Sequence, residues 1–370
     1  MAVILDAPAR RILFLAGIGL TLHNFVEPLA ARLRADGFET IAAAADLGSL
    51  QSFNRAYELP RFRRRGPADV LHAYLALTDV IRRERPVLLY LLTPPALVLG
   101  RLAGRQFRIP SVAVAHGTWL RPFGGRAIAY AAIEGALARL ADHTATVNAE
   151  DAAFYHRWAG SRPVEVAPVG GIGLDLSRLD AAVRCPRRIA APPSVLVVSR
   201  LNRDKNLDLA VDAFQHFQLR HQGATLTFLG SALPGDHRWE VPNLAGVRHQ
   251  PWVPDPYPLI AGADLIVSAS LREGFPMGIA EALALATPVA AVTNRGIRQM
   301  QRDRPSGLVV SGAAAFALAV AMEEALGRKR VAGERERLAT AWSREVAIRF
   351  HRRIIYQVLG LDRGHGPEGA

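Results

Sequence analysis

Residues 263–292 read ADLIVSASLREGFPMGIAEALALATPVAAV, an order of strand, loop, helix and strand. The run 264–269 has the length and the branched residues of a strand buried on both faces, ending near Ser270. The loop carries Glu273, Gly274 and Phe275, and Pro276 stands where a helix would begin. Proline suits the first helical position, because the donor it lacks would be unpaired there anyway. The amides of Met277 and Gly278 would then face the strand ends beside the positive end of the helix dipole, which makes an anion site. Glu281 follows about one turn along, and 289–292 is the next strand. Neither carboxylate should touch an anion at that tip, since like charges repel. Each is suited instead to hydroxyl donors on either side of it.

The same rhythm extends in both directions. In the second half, 195–198, 225–229 and 309–310 read as strands, with 208–221, 277–286 and 313–326 as helices. In the first half, short apolar runs at 12–16, 87–92, 112–115 and 144–147 alternate with helical ones at 25–36, 96–102, 126–140 and 150–158. Strand-then-helix repetition implies a parallel sheet covered on both faces. A stretch of Arg, Pro and Ala around 181–194 interrupts it. The expectation is therefore an α/β protein of two doubly wound, Rossmann-like domains facing across a cleft: 1–182, a linker at 183–194, and 195–340. A helix at 341–360 is expected to pack back on the first domain, followed by a flexible tail from 361. Ligands of such sheets sit at the carboxyl ends of the strands.

Composition narrows the classes. Half of the 370 residues are hydrophobic, which excludes disorder along the whole chain. The single cysteine, Cys185, excludes an intramolecular disulfide framework and a thiolate zinc site, and points to a reducing compartment. The net charge of +12 is shared evenly between the halves, with no basic tail, so it suits anionic small molecules or lipids at least as well as nucleic acid. Arg10-Arg11 before an apolar run resembles the start of an export signal, but Gly17, Gly19 and the polar residues beyond them fit a first buried strand and its loop better. The longest uncharged stretch, 305–322, is broken by Ser306, Gly307, Ser311 and Gly312 and reads as strand, turn and helix rather than a membrane span.

A second cluster is VLVVSRLNRDK at 195–205, a strand running into a loop with Arg200 and Lys205. Lys205 is the first of only two lysines, the other being Lys329, among 45 basic residues. A compact ammonium is chemically distinct from a guanidinium fork. Two cations at a strand's carboxyl end could clamp a diphosphate and neutralise it as it departs, although a solvated loop would look the same. Arg61, Arg63, Arg64 and Arg65 precede a helix at 68–83; they are a solvated loop or a contact for acidic lipid headgroups or a lipid-linked pyrophosphate.

In this order, these segments resemble the donor-binding domain of the GT-B fold retaining glycosyltransferases, family 4 type (glycosyl transferases group 1). The similarity runs from the Arg200/Lys205 loop through EGFPMGIAE and TPVAAV to GLVV at 307–310. The first half is similar more loosely, in RILFLAGIG, RIPSVAVAHG, IEGALARLADHTATVNAED and PVGGIGLD, so that the resemblance spans about 11–345.

The resemblance implies a nucleotide diphosphate sugar, UDP- or GDP-linked, as donor substrate, with no further cofactor and no metal. Glu281 would hold the ribose hydroxyls, Arg200 and Lys205 the diphosphate, and Glu273 with the 274–277 backbone (Gly274, Phe275, Pro276, Met277) the transferred hexose. His116 would face that sugar, Gly17 and Gly19 would let backbone approach the phosphates or acceptor closely, and Trp252-Val253 would line the base pocket. Glu273, His116, Lys205 and Arg200 are thus the candidate catalytic residues. The acceptor would be a growing glycan or lipid-linked saccharide, in cell-surface polysaccharide biosynthesis, on a cytoplasmic enzyme touching the inner membrane face; no nucleic-acid partner is expected.

Three positions depart from the family pattern. Ala286 stands where glycine is usual, Arg295-Gly296 and Gln299 replace a Gly-Gly pair and a later glutamate, and Tyr90 with Leu92 occupy the place of a frequent histidine. A histidine at a strand end such as His116 is as well explained by loop hydrogen bonding as by catalysis. Rival readings are a sugar-nucleotide epimerase on the same scaffold and a nicotinamide oxidoreductase, but the glycine fingerprint begun by Gly17 and Gly19 ends in Leu22. No two aspartates stand two apart, as a metal-dependent transferase of the other common fold would want.

Overall fold

A computed structural model describes residues 10–61, 67–117, 125–183, 192–232, 239–328, 331 and 333–361. Arg63, Arg64, Arg65, Cys185, Lys329, most of the expected linker and the tail from 362 lie outside the described residues. The chain divides into two compact units, 1–172 with 345–370, and 173–344.

The first unit runs β1 (Arg11–Ile18), α1 (Gly19–Phe25), α2 (Glu27–Ala35), β2 (Glu39–Ala45), β3 (Arg55–Glu58), α3 (Pro67–Glu84), β4 (Leu88–Leu92), α4 (Pro94–Phe107), β5 (Ser111–Ala115), α5 (Gly125–Ala138), β6 (His143–Thr146), α6 (Ala149–Trp158) and β7 (Val164–Val166). Its seven strands are all parallel, in the order β3-β2-β1-β4-β5-β6-β7. Successive strand side chains alternate between two cores. Leu13, Leu15, Leu89 and Leu91 meet α3, α4 and α6 on one face, while Ile12, Phe14, Leu88 and Tyr90 meet α1 and α2 on the other. Burial on both faces is why these strands read as unbroken apolar runs.

The second unit runs α7 (Leu176–Val183), β8 (Ser194–Val198), α8 (Leu207–Gln218), β9 (Thr225–Leu229), β10 (Val247–Gln250), α9 (Tyr257–Gly262), β11 (Leu265–Ser268), α10 (Met277–Ala284), β12 (Val289–Val292), α11 (Arg295–Gln301), β13 (Leu308–Ser311), α12 (Ala315–Gly327) and α13 (Glu334–Ala341). Its sheet is again parallel, ordered β10-β9-β8-β11-β12-β13, so the strand order reverses between β8 and β11. A reversal of this kind opens a crevice at the carboxyl ends of the two strands flanking it.

Two boundaries differ from the sequence expectation. The chain divides after Ile172 rather than at 182–183, because α7 packs on α9 and its Arg178 donates to Asp255 at 2.8 Å. The final helix, α14 (Arg344–Val358), starts later than 341, since Ser343 bridges to Leu174 and α13 ends before it. α14 belongs to the first unit, where Ile354 and Ile355 join the core beside Phe14 and Tyr90. Its buried His351 joins the Tyr90 hydroxyl to the Gly171 carbonyl, each at 3.0 Å.

Candidate active site

In the second unit, the crevice strands carry the predicted residues. β8 ends at Val198 and passes into a loop in which Arg200 is exposed and Leu201 and Asn202 are buried, then a single 3-10 turn over Arg203–Lys205. Asn206 closes that turn in the left-handed region, φ 52°, where asparagine is tolerated better than most residues, and its side-chain amide donates to the Ala269 carbonyl at 3.3 Å. The loop after β8 is thereby tied to the end of β11. Lys205 Nζ lies 2.5 Å from Glu273 Oε1, with both side chains only 17% exposed. The family resemblance assigns Lys205 to a phosphate and Glu273 to a sugar; in the structure the two hold each other.

Gly274 and Phe275 follow Glu273 in the loop, and α10 begins at Met277. Pro276 is the residue before the helix, with ψ 96°, and not its first helical residue as expected. An added Cβ on Gly278 would sit 3.6 Å from Val198, so the first turn of α10 rests over the end of β8. α11, which follows β12 on the other side of β11, closes on the same loop. Its cap Asn294 accepts from the Ile297 amide and donates to the Ser270 carbonyl at 2.8 Å. The Gly296 amide donates to the Glu273 carbonyl at 3.2 Å, and a Cβ there would lie 2.7 Å from Pro276 Cδ and 3.1 Å from the Gly274 carbonyl oxygen. The loop bearing Glu273 is held by a glycine that cannot be enlarged without moving it.

Glu281 faces a different surrounding. Burial pushes its carboxyl up to about 7, opposed by the positive charge of Arg178 and a hydrogen bond from the Tyr257 hydroxyl. The Arg178 guanidinium lies 4.8 Å from the centroid of the Tyr257 ring, and burial raises the Tyr257 phenol. Arg178 and Tyr257 are far from Glu281 along the chain, and no local pattern announced them. Trp252 and Val253 follow β10; the Trp252 amide donates to the Ser231 hydroxyl at 3.1 Å, leaving the indole 67% exposed.

Ala286, where the family carries glycine, adopts φ 54°. An alanine there is strained.

In the first unit, Gly17 donates its amide to the Thr93 hydroxyl at 2.9 Å. Gly19 is required for a structural reason: a Cβ would meet the Leu47 carbonyl oxygen at 2.2 Å. His116 follows β5 with its ring 4.9 Å from that of Phe25. Burial lowers its pKa to about 4, against a hydrogen bond to the Gly170 backbone, and Nε2 is buried without a hydrogen-bond partner. A neutral imidazole with one unanswered nitrogen is the form that accepts a hydrogen bond from a ligand hydroxyl.

A cavity of about 390 Å³ lies elsewhere in the second unit, lined by Asp264, Pro288 and Gly307 at the amino ends of β11, β12 and β13. It is on the opposite edge of the sheet from Lys205 and Glu273.

The two halves of the chain match two family descriptions. Residues 192–328 match "Glycosyl transferases group 1" and 21–170 match "Glycosyl transferase 4-like domain". EpsD of Bacillus subtilis (strain 168), named as a glycosyltransferase, is 28% identical over 83% of this chain and 86% of its own length. Sucrose-phosphate synthase from Thermosynechococcus elongatus superposes with a TM-score of 0.76 at 18% identity, covering 95% of this chain and all of that one. Anabaena HepE, solved in complex with UDP-glucose, gives 0.67 at 18% identity over 94% and 99% of the two chains. Two parallel doubly wound sheets accord with these matches, and the chain belongs to the GT-B glycosyltransferases of the group 1, family 4 type.

Proposed function

We propose that this glycosyltransferase moves a hexose from a nucleotide diphosphate sugar to a growing glycan or lipid-linked saccharide, with retention at the anomeric carbon. The observation that carries this reading is the Lys205–Glu273 pair at the reversal of strand order. A diphosphate entering there offers Lys205 a second anion, which frees Glu273 for sugar hydroxyls. Arg200 shares the charge, and the first turn of α10 adds its dipole. Glu281, beside Tyr257, takes the ribose. UDP is the favoured nucleotide, supported by the UDP-glucose in HepE.

In the reaction, the bond from C1 to the β-phosphate oxygen breaks as the acceptor oxygen bonds to C1 on the same face. The acceptor proton passes to the departing phosphate. The chain's contribution is to stabilise that charge with Lys205 and Arg200, and to orient the donor with Glu273, Glu281 and His116. A general base from the protein is not needed.

The test is a donor screen with UDP- and GDP-sugars plus membrane extract, reading nucleotide release and the anomeric configuration of the product. Release with an α-linked product from an α-linked donor is expected. Accumulation of a free epimerised sugar nucleotide would replace transfer by epimerisation, and consumption of a reduced nicotinamide would replace it by redox chemistry.

A further inference from the structure

Residues 168–171 read PVGG and fold as one tight turn with three successive residues in left-handed backbone: Val169 at φ 49°, Gly170 at φ 62° and Gly171 at φ 72°. Glycine takes that conformation freely, whereas a β-branched residue such as valine resists it. All three are buried. Strain of this kind persists only where the surroundings hold it, and it gathers at active sites and ligand clamps. What is held here is a pair of adjacent peptide carbonyls.

Each of the two meets a buried histidine. His351 Nε2, from α14, lies 3.0 Å from the Gly171 carbonyl oxygen, and His351 Nδ1 lies 3.0 Å from the Tyr90 hydroxyl on the middle strand of the sheet. A carbonyl only accepts, so Nε2 carries the proton. Burial keeps the ring neutral, and Nδ1 therefore accepts from the Tyr90 O–H. Tyr90 thus fixes the tautomer in which His351 donates to the turn. The fit is close, since a Cβ on Gly171 would stand 3.1 Å from His351 Nε2. For stability alone, apolar side chains at 90 and 351 would serve the core of Phe14, Ile354 and Ile355 without burying a hydroxyl and an imidazole.

The preceding residue, Gly170, serves His116. Its backbone hydrogen bond favours the protonated imidazole, which is the effect of a carbonyl accepting from a ring N–H. His116 Nε2 is buried with no partner, so the donor is Nδ1. Phe25 packs on the ring with centroids 4.9 Å apart, which restrains its plane and adds no polar group. Gly170 is therefore what decides which nitrogen of His116 is bare.

We infer that His351, set by Tyr90, is a positioning residue for His116: it holds the left-handed turn so that the Gly170 carbonyl keeps His116 protonated at Nδ1, with Nε2 open to a hydroxyl of the transferred sugar. This deepens the transferase reading and rests on it for the identity of that hydroxyl. The path from Tyr90 through His351, Gly171 and Gly170 to His116 lies wholly within the first unit, and no proton has to move along it.

The test joins the imidazole 15N spectrum of the histidine-labelled full chain to binding of UDP and turnover of UDP-glucose. The His116 signals are identified by their loss in His116→Ala. They should report one neutral tautomer, protonated at Nδ1. In His351→Leu, which removes the donor to Gly171 and keeps apolar bulk, they should move to the averaged position of mixed tautomers. There kcat/KM for the sugar donor should fall about tenfold, while UDP, which lacks the sugar, binds as before. Tyr90→Phe, a milder change to the core, should move both readings the same way, with a loss of about threefold, so the outcome does not depend on His351→Leu folding. His351→Gln, whose amide can still donate to the Gly171 carbonyl, should recover most of the loss. Adding His351→Leu to His116→Ala should cost no further turnover, because both act through one imidazole. A His116 tautomer indifferent to His351→Leu and Tyr90→Phe, or losses that simply add in the double variant, would overturn the inference while leaving the transferase reading intact. A chain that binds UDP but turns over no sugar nucleotide would overturn the transferase reading, and with it the substrate named for Nε2.

Discussion

Lys205 Nζ and Glu273 Oε1 stand 2.5 Å apart, joining the loop after β8 to the loop after β11. Removing one partner leaves the other partly enclosed and unanswered. Lys205→Ala should therefore lower kcat by roughly 10²–10³ through lost stabilisation of the leaving diphosphate. It should also cost about 1–2 kcal/mol of stability, part of which the Lys205→Ala/Glu273→Ala double variant recovers. Steady-state kinetics and urea titration of the single and double variants check both.

Glu281 has its carboxyl pushed up to about 7 by burial. Only the ionised form offers acceptor oxygens to two ribose hydroxyls. Donor KM should rise as pH falls through about 7, with kcat changing less. Glu281→Gln should weaken the donor and flatten that profile, and Tyr257→Phe, which removes the hydroxyl bonded to the carboxylate, should move the inflection upward. A KM profile indifferent to all three would remove Glu281 from the donor site.

Gly296 leaves no room for a side chain, with Pro276 Cδ 2.7 Å from where a Cβ would stand. Gly296→Ala should push the Glu273 loop out of place, cutting kcat/KM by roughly tenfold to a hundredfold, as misplacement of a positioning group does. Thermal stability should change far less than activity, because the loop rather than the sheet has to give. Differential scanning calorimetry beside kinetics reads the two effects.

Ala286 adopts φ 54°. Glycine relieves about 1–2 kcal/mol of left-handed strain and returns roughly 0.5–1 kcal/mol through greater freedom of the unfolded chain. Ala286→Gly should thus raise stability by about 0.5–1 kcal/mol, seen as a higher midpoint in urea.

His351 is a buried residue of α14, and burial lowers its pKa to about 3; His116 is lowered to about 4. In the unfolded chain both titrate near their ordinary value of about 6.5. Between those limits the unfolded state binds the protons and the native state does not, so stability is full above about 6.5 and declines as pH falls toward 4 and then 3. His351→Gln should flatten part of that decline in acid-denaturation curves.

Much of the donor half was legible before any coordinates. The strand at 264–269, the loop with Glu273 and the helix with Glu281 lie close along the chain, so periodicity and turn chemistry place them. β2, β3, β7 and β10 carry no such signal: β2 is dominated by alanines, which carry little strand propensity, and β3, β7 and β10 are strands of three or four residues at sheet edges. The pairing of Lys205 with Glu273 is not legible either, since the two stand 68 residues apart in the chain.

The chain alone determined two series of buried parallel strands and the residue types at the ends of β8 and β11, because an unbroken apolar run and the residues that end it are local properties of sequence. Only the folded structure decided that Glu281 lies against Tyr257 and Arg178, and that Gly296 props the Glu273 loop. Those contacts join residues far apart in the chain, where packing and desolvation act, and no window along the sequence contains both partners.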